Sequence, residues 1–424
     1  MQWFLIVVMS FLLVGCGGGG SSAAIPTEPV ANSAPVITDP GSLGVPGGAT
    51  DVVAISATDA DADTLSFSIV SGDDQGLFTI TTAGVLSFIT APDFTAPGDV
   101  NTDNEYLLSV QVSDGTLTDV QALTVIVEES VEGRVVDAPM AGALVFVDLD
   151  GNFALDSATE TLSERTDAEG HFQFRLRLLR AIATPDAKFV TIGGTDILTG
   201  IKMPGLVMVS SLSHILNAPA GSVGGRANIT PLTTLIAAAS TDATRTQILT
   251  VFGLTGTVES LQKRKGWEEA LVGNVDAQKE QRVSNQISLV MQAAISMAND
   301  DSLSAAISNA VVGQIAALIE ANGSIDLTSP ATISTVLNGA ITAVSANTTF
   351  AAGTLAEIAT AVSYSSVAVG DATVDPTSEE MKSRATVSQS SLQDSIKSVV
   401  SGATSIVDFA AETLASFDAD GDGI

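Results

Sequence analysis

The chain has 424 residues, 4% of them aromatic, and a formal net charge of −31. That length calls for two to four domains rather than one core, and the charge excludes nucleic acid as a natural partner and disfavours direct docking on anionic lipid. One cysteine, Cys16, rules out disulfides and zinc–cysteine sites within a single chain.

Trp3–Val14 is apolar except for Ser10. It is too short to span a bilayer comfortably, which predicts the core of a signal peptide over residues 1–15. Leu13-Val14-Gly15-Cys16 resembles a bacterial lipobox with Cys16 as the acylated residue, although Met1-Gln2 lacks the basic residue expected before it. The glycine run after Cys16 begins a flexible tether over 16–33. The resemblance implies membrane attachment through an N-terminal lipid. Gly17, rather than an acid, after the cysteine implies an outer-membrane lipoprotein exposed at the surface.

Residues 34–129 alternate apolar and polar side chains between Gly, Asp and Pro turns. Asp51–Ala57, Thr64–Val70, Gly84–Ile89, Tyr106–Ser113 and Ala122–Glu128 read as strands of a β-sandwich. No Lys or Arg precedes Arg134. Carboxylates about 4 Å apart repel by roughly 4 kcal/mol at an effective dielectric near 20. Such a module either spreads its acids over a solvated surface or recruits metal cations.

Ala57-Thr58-Asp59-Ala60-Asp61, then Leu65-Ser66-Phe67-Ser68-Ile69, then Tyr106–Ser113 ending in Asp114-Gly115, together resemble a cadherin-like domain. The resemblance implies calcium on Asp59, Asp61 and Asp114, held weakly at about 0.1–1 mM as in extracellular modules. Two features depart from the family: Asp93-Phe94-Thr95 lacks its glutamate, and Glu128-Glu129-Ser130 replaces its inter-domain calcium linker. Asp93, Asp99 and Asp103 are candidate substitute ligands.

Over residues 130–187, Val131–Asp137, Ala143–Val147 and His171–Leu176 read as strands, joined by turns at Pro139–Gly142 and Thr166–Gly170. Gly-x-Val-x-Asp, Gly-Ala-x-Val-Phe-x-Asp and Thr-Asp-Ala-x-Gly-x-Phe follow in the order of prealbumin-like collagen-adhesin B-repeats, or carboxypeptidase regulatory-like domains, which this segment resembles. Asp148, Asp150, Asn152 and Asp156 fall at positions one, three, five and nine of an EF-type loop. Phe153 sits where the turn wants glycine, and Glu160 lies one residue past the usual bidentate acid. The bland alternative is a solvated Asx-rich turn.

Residues 188–227 read as a connecting segment containing a Gly-rich strand-turn, and residues 228–417 as a helical domain. Thr230-Pro231 caps a helix. Val283/Ile287/Val290/Met291/Ala294, Leu303/Ile307/Val311/Ile315/Leu318 and Ile333/Val336/Leu337/Ile341/Val344 form single stripes, as do Leu392/Ile396/Val399. Such stripes predict a bundle burying one face of each helix. Asp418-Ala419-Asp420-Gly421-Asp422 resembles the opening of a calcium loop, with Asp418, Asp420 and Asp422 as ligands in a truncated repeat.

The expected fold is therefore multidomain: β-sandwich modules, cadherin-like then prealbumin-like, followed by an all-α helical bundle. No Gly-x-Ser-x-Gly elbow accompanies His171 or His214, and no enzyme is expected. The function expected is that of a lipid-anchored, calcium-binding surface protein in cell adhesion or display, with a protein or glycan ligand and homophilic contact among the options. The alternatives are a carbohydrate- or protein-binding subunit of an envelope complex, and an anchor stalk for a missing C-terminal enzyme.

Overall fold

The computed structural model describes residues 31–405 apart from 185, 217–225, 346–349 and 352. The signal segment, Cys16 and the terminal Asp418, Asp420 and Asp422 lie outside the described residues.

The first module is a two-sheet sandwich. One sheet orders Leu43–Pro46, Thr118–Glu128, Glu105–Ser113 and Ser66–Ser71; the other orders Asp51–Ala54, Val85–Phe88 and Phe78–Ile80. Period-two alternation sends Tyr106, Leu108, Val110 and Val112 inward, where they meet Phe78, Leu86 and Phe88 from the facing sheet. Leu107 points outward. Tyr106 stands edge-on to Phe88 at 5.1 Å between ring centroids, and its buried hydroxyl accepts from Gly98 N at 3.1 Å. Leu43–Pro46 pairs in parallel with Val125–Glu128.

The second β region extends beyond the boundary expected at residue 187. Its main sheet orders Ser163–Arg165, Leu144–Asp148, Lys188–Ile192 and Val207–Ser211, so Lys188–Ile192 and Val207–Ser211 are sheet rather than connector. Val145, Val147, Phe189 and Met208 from this sheet are fully buried, which is why a linker cannot stand there. Ser130–Arg134 pairs separately with His171–Arg175. Phe172, Phe174 and Phe189 pack together, with Phe174 stacked on Phe189 at 5.2 Å. Gly133 is required beside them, because a Cβ there would lie 2.1 Å from Phe172 Cζ and 2.3 Å from Ala227 O.

The helices do not form a separate bundle. The capped helix Pro231–Ala238 lies along the edge strand Val207–Ser211. Thr234 Oγ1 accepts from Val209 N at 2.8 Å and Thr233 Oγ1 donates to Val209 O at 2.9 Å, covering polar groups that an edge strand would otherwise expose. One continuous apolar core runs from Val131 to Val399. Nor does each helix bury a single face: Val275–Ala298 is central and buries Ile287, Ser288, Leu289, Val290, Met291, Ala293 and Ala294 around its circumference. The apolar helix Ser304–Asn322, long enough by composition to cross a membrane, packs on this core through Ile307, Val311, Ile315 and Ile319. The stripe Leu392/Ile396/Val399 lies on the helix Leu392–Val400, which continues from Glu379–Thr386 through the π-turn Val387–Ser391.

Only Glu129 separates the last strand of the first module from the first strand of the second. Arginines from the second module meet the acids of this junction. Arg175 Nη1 lies 3.7 Å from Glu128 Oε2 and donates to Gly44 O at 3.2 Å. Arg180 Nη1 lies 4.0 Å from Glu129 Oε2, and Gln173 Nε2 reaches both Gly47 O and Ser130 Oγ.

Candidate metal centre

Most of the acids singled out in the first module close their own turns. Asp93 Oδ1 accepts from Thr95 N and Oγ1 at 2.8 and 2.7 Å, contacts that hold its carboxyl below the ordinary range, the Thr95 hydroxyl contributing most. Asp99 Oδ2 accepts from Asp103 N at 2.9 Å, and Asp103 Oδ1 from Glu105 N at 2.8 Å. These are Asx-type contacts, which satisfy an acid without an ion. Asp74, not singled out by the sequence, does the same work deeper in the fold: its two oxygens accept from Val100 N at 2.9 Å and Leu107 N at 2.8 Å.

Asp59, Asp61 and Asp114 gather at one end of the sandwich around Asn32 and Ser33. Ser33 N donates to Asp61 Oδ2 at 2.7 Å, and Asn32 Nδ2 to Asp114 Oδ2 at 2.8 Å. Asp59 Oδ1 accepts from Asp61 N at 2.9 Å, while its Oδ2 is buried with no partner among the described residues. Asp114 accepts from Leu117 N and Thr116 N, both at 2.6 Å, and these donors bring its pKa down to about 2. The three carboxylates do not close into a single ligand set among the described residues.

The loop after Leu144–Asp148 behaves differently. Asp148, Asp150 and Glu160 each bring a carboxylate oxygen within 4.8 Å of the others. Asp148 is 2% exposed and Glu160 1% exposed, whereas Asp150 faces solvent. The backbone fixes this geometry. Glu160 Oε1 accepts from Leu149 N at 2.8 Å and Oε2 from Asp156 N at 2.9 Å, so the glutamate folds back across the loop. Asp148 Oδ1 accepts from Gly151 N at 2.8 Å, and its Oδ2 is buried with no hydrogen-bond partner among the described residues.

Phe153 adopts φ of 60°, the left-handed conformation for which glycine was expected. Its ring lies 5.4 Å from Lys188 Nζ, so the lysine paired in register with Asp148 is drawn over the aromatic face. Asp156 is not part of this carboxylate group, and Asn152 Nδ2 donates to Asp150 Oδ2 at 2.9 Å. Asn152 Oδ1 accepts from Ala154 N at 2.7 Å, and Asp156 Oδ1 from Ala158 N at 3.0 Å. Three carboxylates, two of them buried, match the oxygen chemistry of a hard divalent cation. The orphaned Asp148 Oδ2 supplies a ligand atom that the protein itself leaves unsatisfied.

A second buried acid pair, Asp137 and Asp196, has no signature in the local sequence. Asp137 closes the Gly-x-Val-x-Asp segment and Asp196 the strand Thr195–Asp196; both are buried against the helices. Desolvation raises the Asp137 pKa to about 7, opposed by its bond from Ser288 and reinforced by Asp196.

No protein-family model and no curated protein sequence matches the chain. Among solved structures it is similar to the EC1–2 segment of human protocadherin-24, at 17% identity and a TM-score of 0.21, covering 42% of this chain and 96% of that one. It is also similar to the EC1–4 segment of Drosophila N-cadherin, at 17% identity and a TM-score of 0.21, covering 39% of this chain and 46% of that one. At these TM-scores the likeness bears no weight, and the strand pairing described above stands on its own.

Proposed function

We propose that the chain is a non-enzymatic, calcium-stabilised surface protein, anchored at the outer membrane through a lipid on Cys16 and serving adhesion or display. The observation that carries the calcium reading is the Asp148–Asp150–Glu160 cluster with its buried, unpartnered Asp148 Oδ2. Asp59, Asp61 and Asp114, at the cadherin-like motif positions, form a second and more open group. Adhesion rests on the order of the cadherin-like motifs and on the two-sheet sandwich that carries them.

Melting the chain in EDTA and in millimolar calcium tests the metal. At three times its dissociation constant, a bound ion raises stability by about 0.8 kcal/mol. Asp148→Asn with Asp150→Asn should erase that rise, and a chain that melts identically with and without calcium refutes the reading. Aggregation of beads coated with the chain, calcium-dependent and lost in EDTA, tests adhesion. Mass spectrometry of the N-terminal peptide tests the lipid, and an unmodified, intact N-terminus refutes it.

A further inference from the structure

Phe153 is the point at which the metal loop departs from glycine, and the fold gives its side chain a place. A residue with a Cβ at φ of 60° is strained where glycine is free. The sheet beneath compensates: Phe153 packs with Leu155 on the buried cluster of Phe146, Val190, Val207 and Val209. Phe146 and Asp148 are two residues apart on one strand, so Asp148 projects from the same face of the sheet, under the same loop.

Lys188 stands directly opposite Asp148 on the neighbouring antiparallel strand. Side chains so paired leave one face of the sheet with their Cβ atoms about 4.5–5.5 Å apart, within reach of a lysine's four-carbon arm. An ammonium and a carboxylate in that register attract each other and ordinarily pair. Here the two are apart. Asp148 Oδ2 is buried without a hydrogen-bond partner among the described residues, while Lys188 Nζ sits 5.4 Å from the centroid of the Phe153 ring. The attraction of a cation for the electron-rich face of an aromatic ring holds it there.

We propose that Phe153 is a positioning residue for the metal centre: its ring holds the Lys188 ammonium away from Asp148, whose carboxylate the lysine would otherwise neutralise in place of a divalent cation. The inference deepens the calcium reading and rests on it. Without the ring the lysine becomes a tethered competitor. A group fixed by so short a tether acts at an effective concentration of about millimolar or more. That is the range in which extracellular calcium modules bind, so the competition is felt. Glycine, the residue that turn geometry alone favours at this position, relieves the backbone but gives up the lysine's resting place.

The test titrates calcium into the full chain by calorimetry, with the Asp148→Asn chain as the blank for calcium bound elsewhere. Phe153→Leu keeps an apolar side chain on the sheet and removes the aromatic face; it should weaken binding by about threefold or more. Phe153→Tyr keeps the face and should bind like the parent. Adding Lys188→Met to Phe153→Leu should restore the parental affinity. A double variant that stays weak points to lost packing alone and overturns the proposal. A crystal structure of Phe153→Leu grown in EDTA gives a readout without metal: the Lys188 ammonium is expected within about 4 Å of the Asp148 carboxylate, and an ammonium left in solvent overturns the assignment. A parent chain that takes up no more calcium than the blank sinks the metal reading and this one together. A parent that binds, with Phe153→Leu binding equally well, sinks this one alone.

Discussion

Replacing Asp137 by Asn isolates the cost of burying one carboxylate under the helices. The rise of its pKa from 3.8 to about 7 corresponds to about 4 kcal/mol at about 1.36 kcal/mol per pH unit. The folded state holds the proton more tightly than the unfolded chain. The stability this group lends is therefore complete below pH 3.8, declines as pH rises, and is gone above pH 7. Asn keeps an oxygen that accepts from Ser288 and Gln292 and has no charge to bury. The variant should match the parent near pH 4 and exceed it by up to about 4 kcal/mol at pH 8. Urea unfolding followed by circular dichroism across that range measures the difference. Subtracting the two profiles removes the contribution of Glu280, whose pKa burial also lifts to about 7 against the pull of Arg264. Parallel profiles, or a variant less stable at pH 8, would refute the reasoning.

Glu280→Gln should flatten the same pH window independently, with effects additive to Asp137→Asn in the double variant. Asp148→Asn should leave the melting temperature in EDTA nearly unchanged while abolishing the calcium-induced rise, because the lost oxygen is the one no protein donor uses. Gly133→Ala should destabilise the chain by about 3 kcal/mol in chemical denaturation, since the added methyl meets both Phe172 and the carbonyl of Ala227. Arg175→Ala should cost about 1 kcal/mol or less, yet broaden the angle between the two β regions in X-ray scattering, with or without calcium.

The strands that alternate cleanly are legible in the sequence: Tyr106–Ser113 falls within an observed strand, and Thr64–Val70 overlaps the strand Ser66–Ser71. Leu43–Pro46 was not, because Gly44 and Pro46 read as turn chemistry and its pairing partner lies more than eighty residues away. Residues 188–227 read as a connector because Gly193-Gly194 marks only a local strand-turn; the burial of Lys188–Ile192 and Val207–Ser211 on the shared core is a tertiary fact. At the metal loop, Asp148, Asp150 and Glu160 converge as their spacing suggests, while Asp156 caps its own turn. The acid-rich, cation-free first module suggested charges awaiting a metal. Backbone N–H groups satisfy many of them instead, and arginines contributed by the second module meet those at the junction. Asp137 could not be read at all, because its donors Ser288 and Gln292 lie some 150 residues onward.

The parallel pairing of Leu43–Pro46 with Val125–Glu128 decides how the first module meets mechanical tension. Pulling its two chain ends apart drags these neighbouring strands past each other lengthwise, so every hydrogen bond of the ladder is loaded in shear together rather than peeled one at a time. A fold wired this way yields late and all at once.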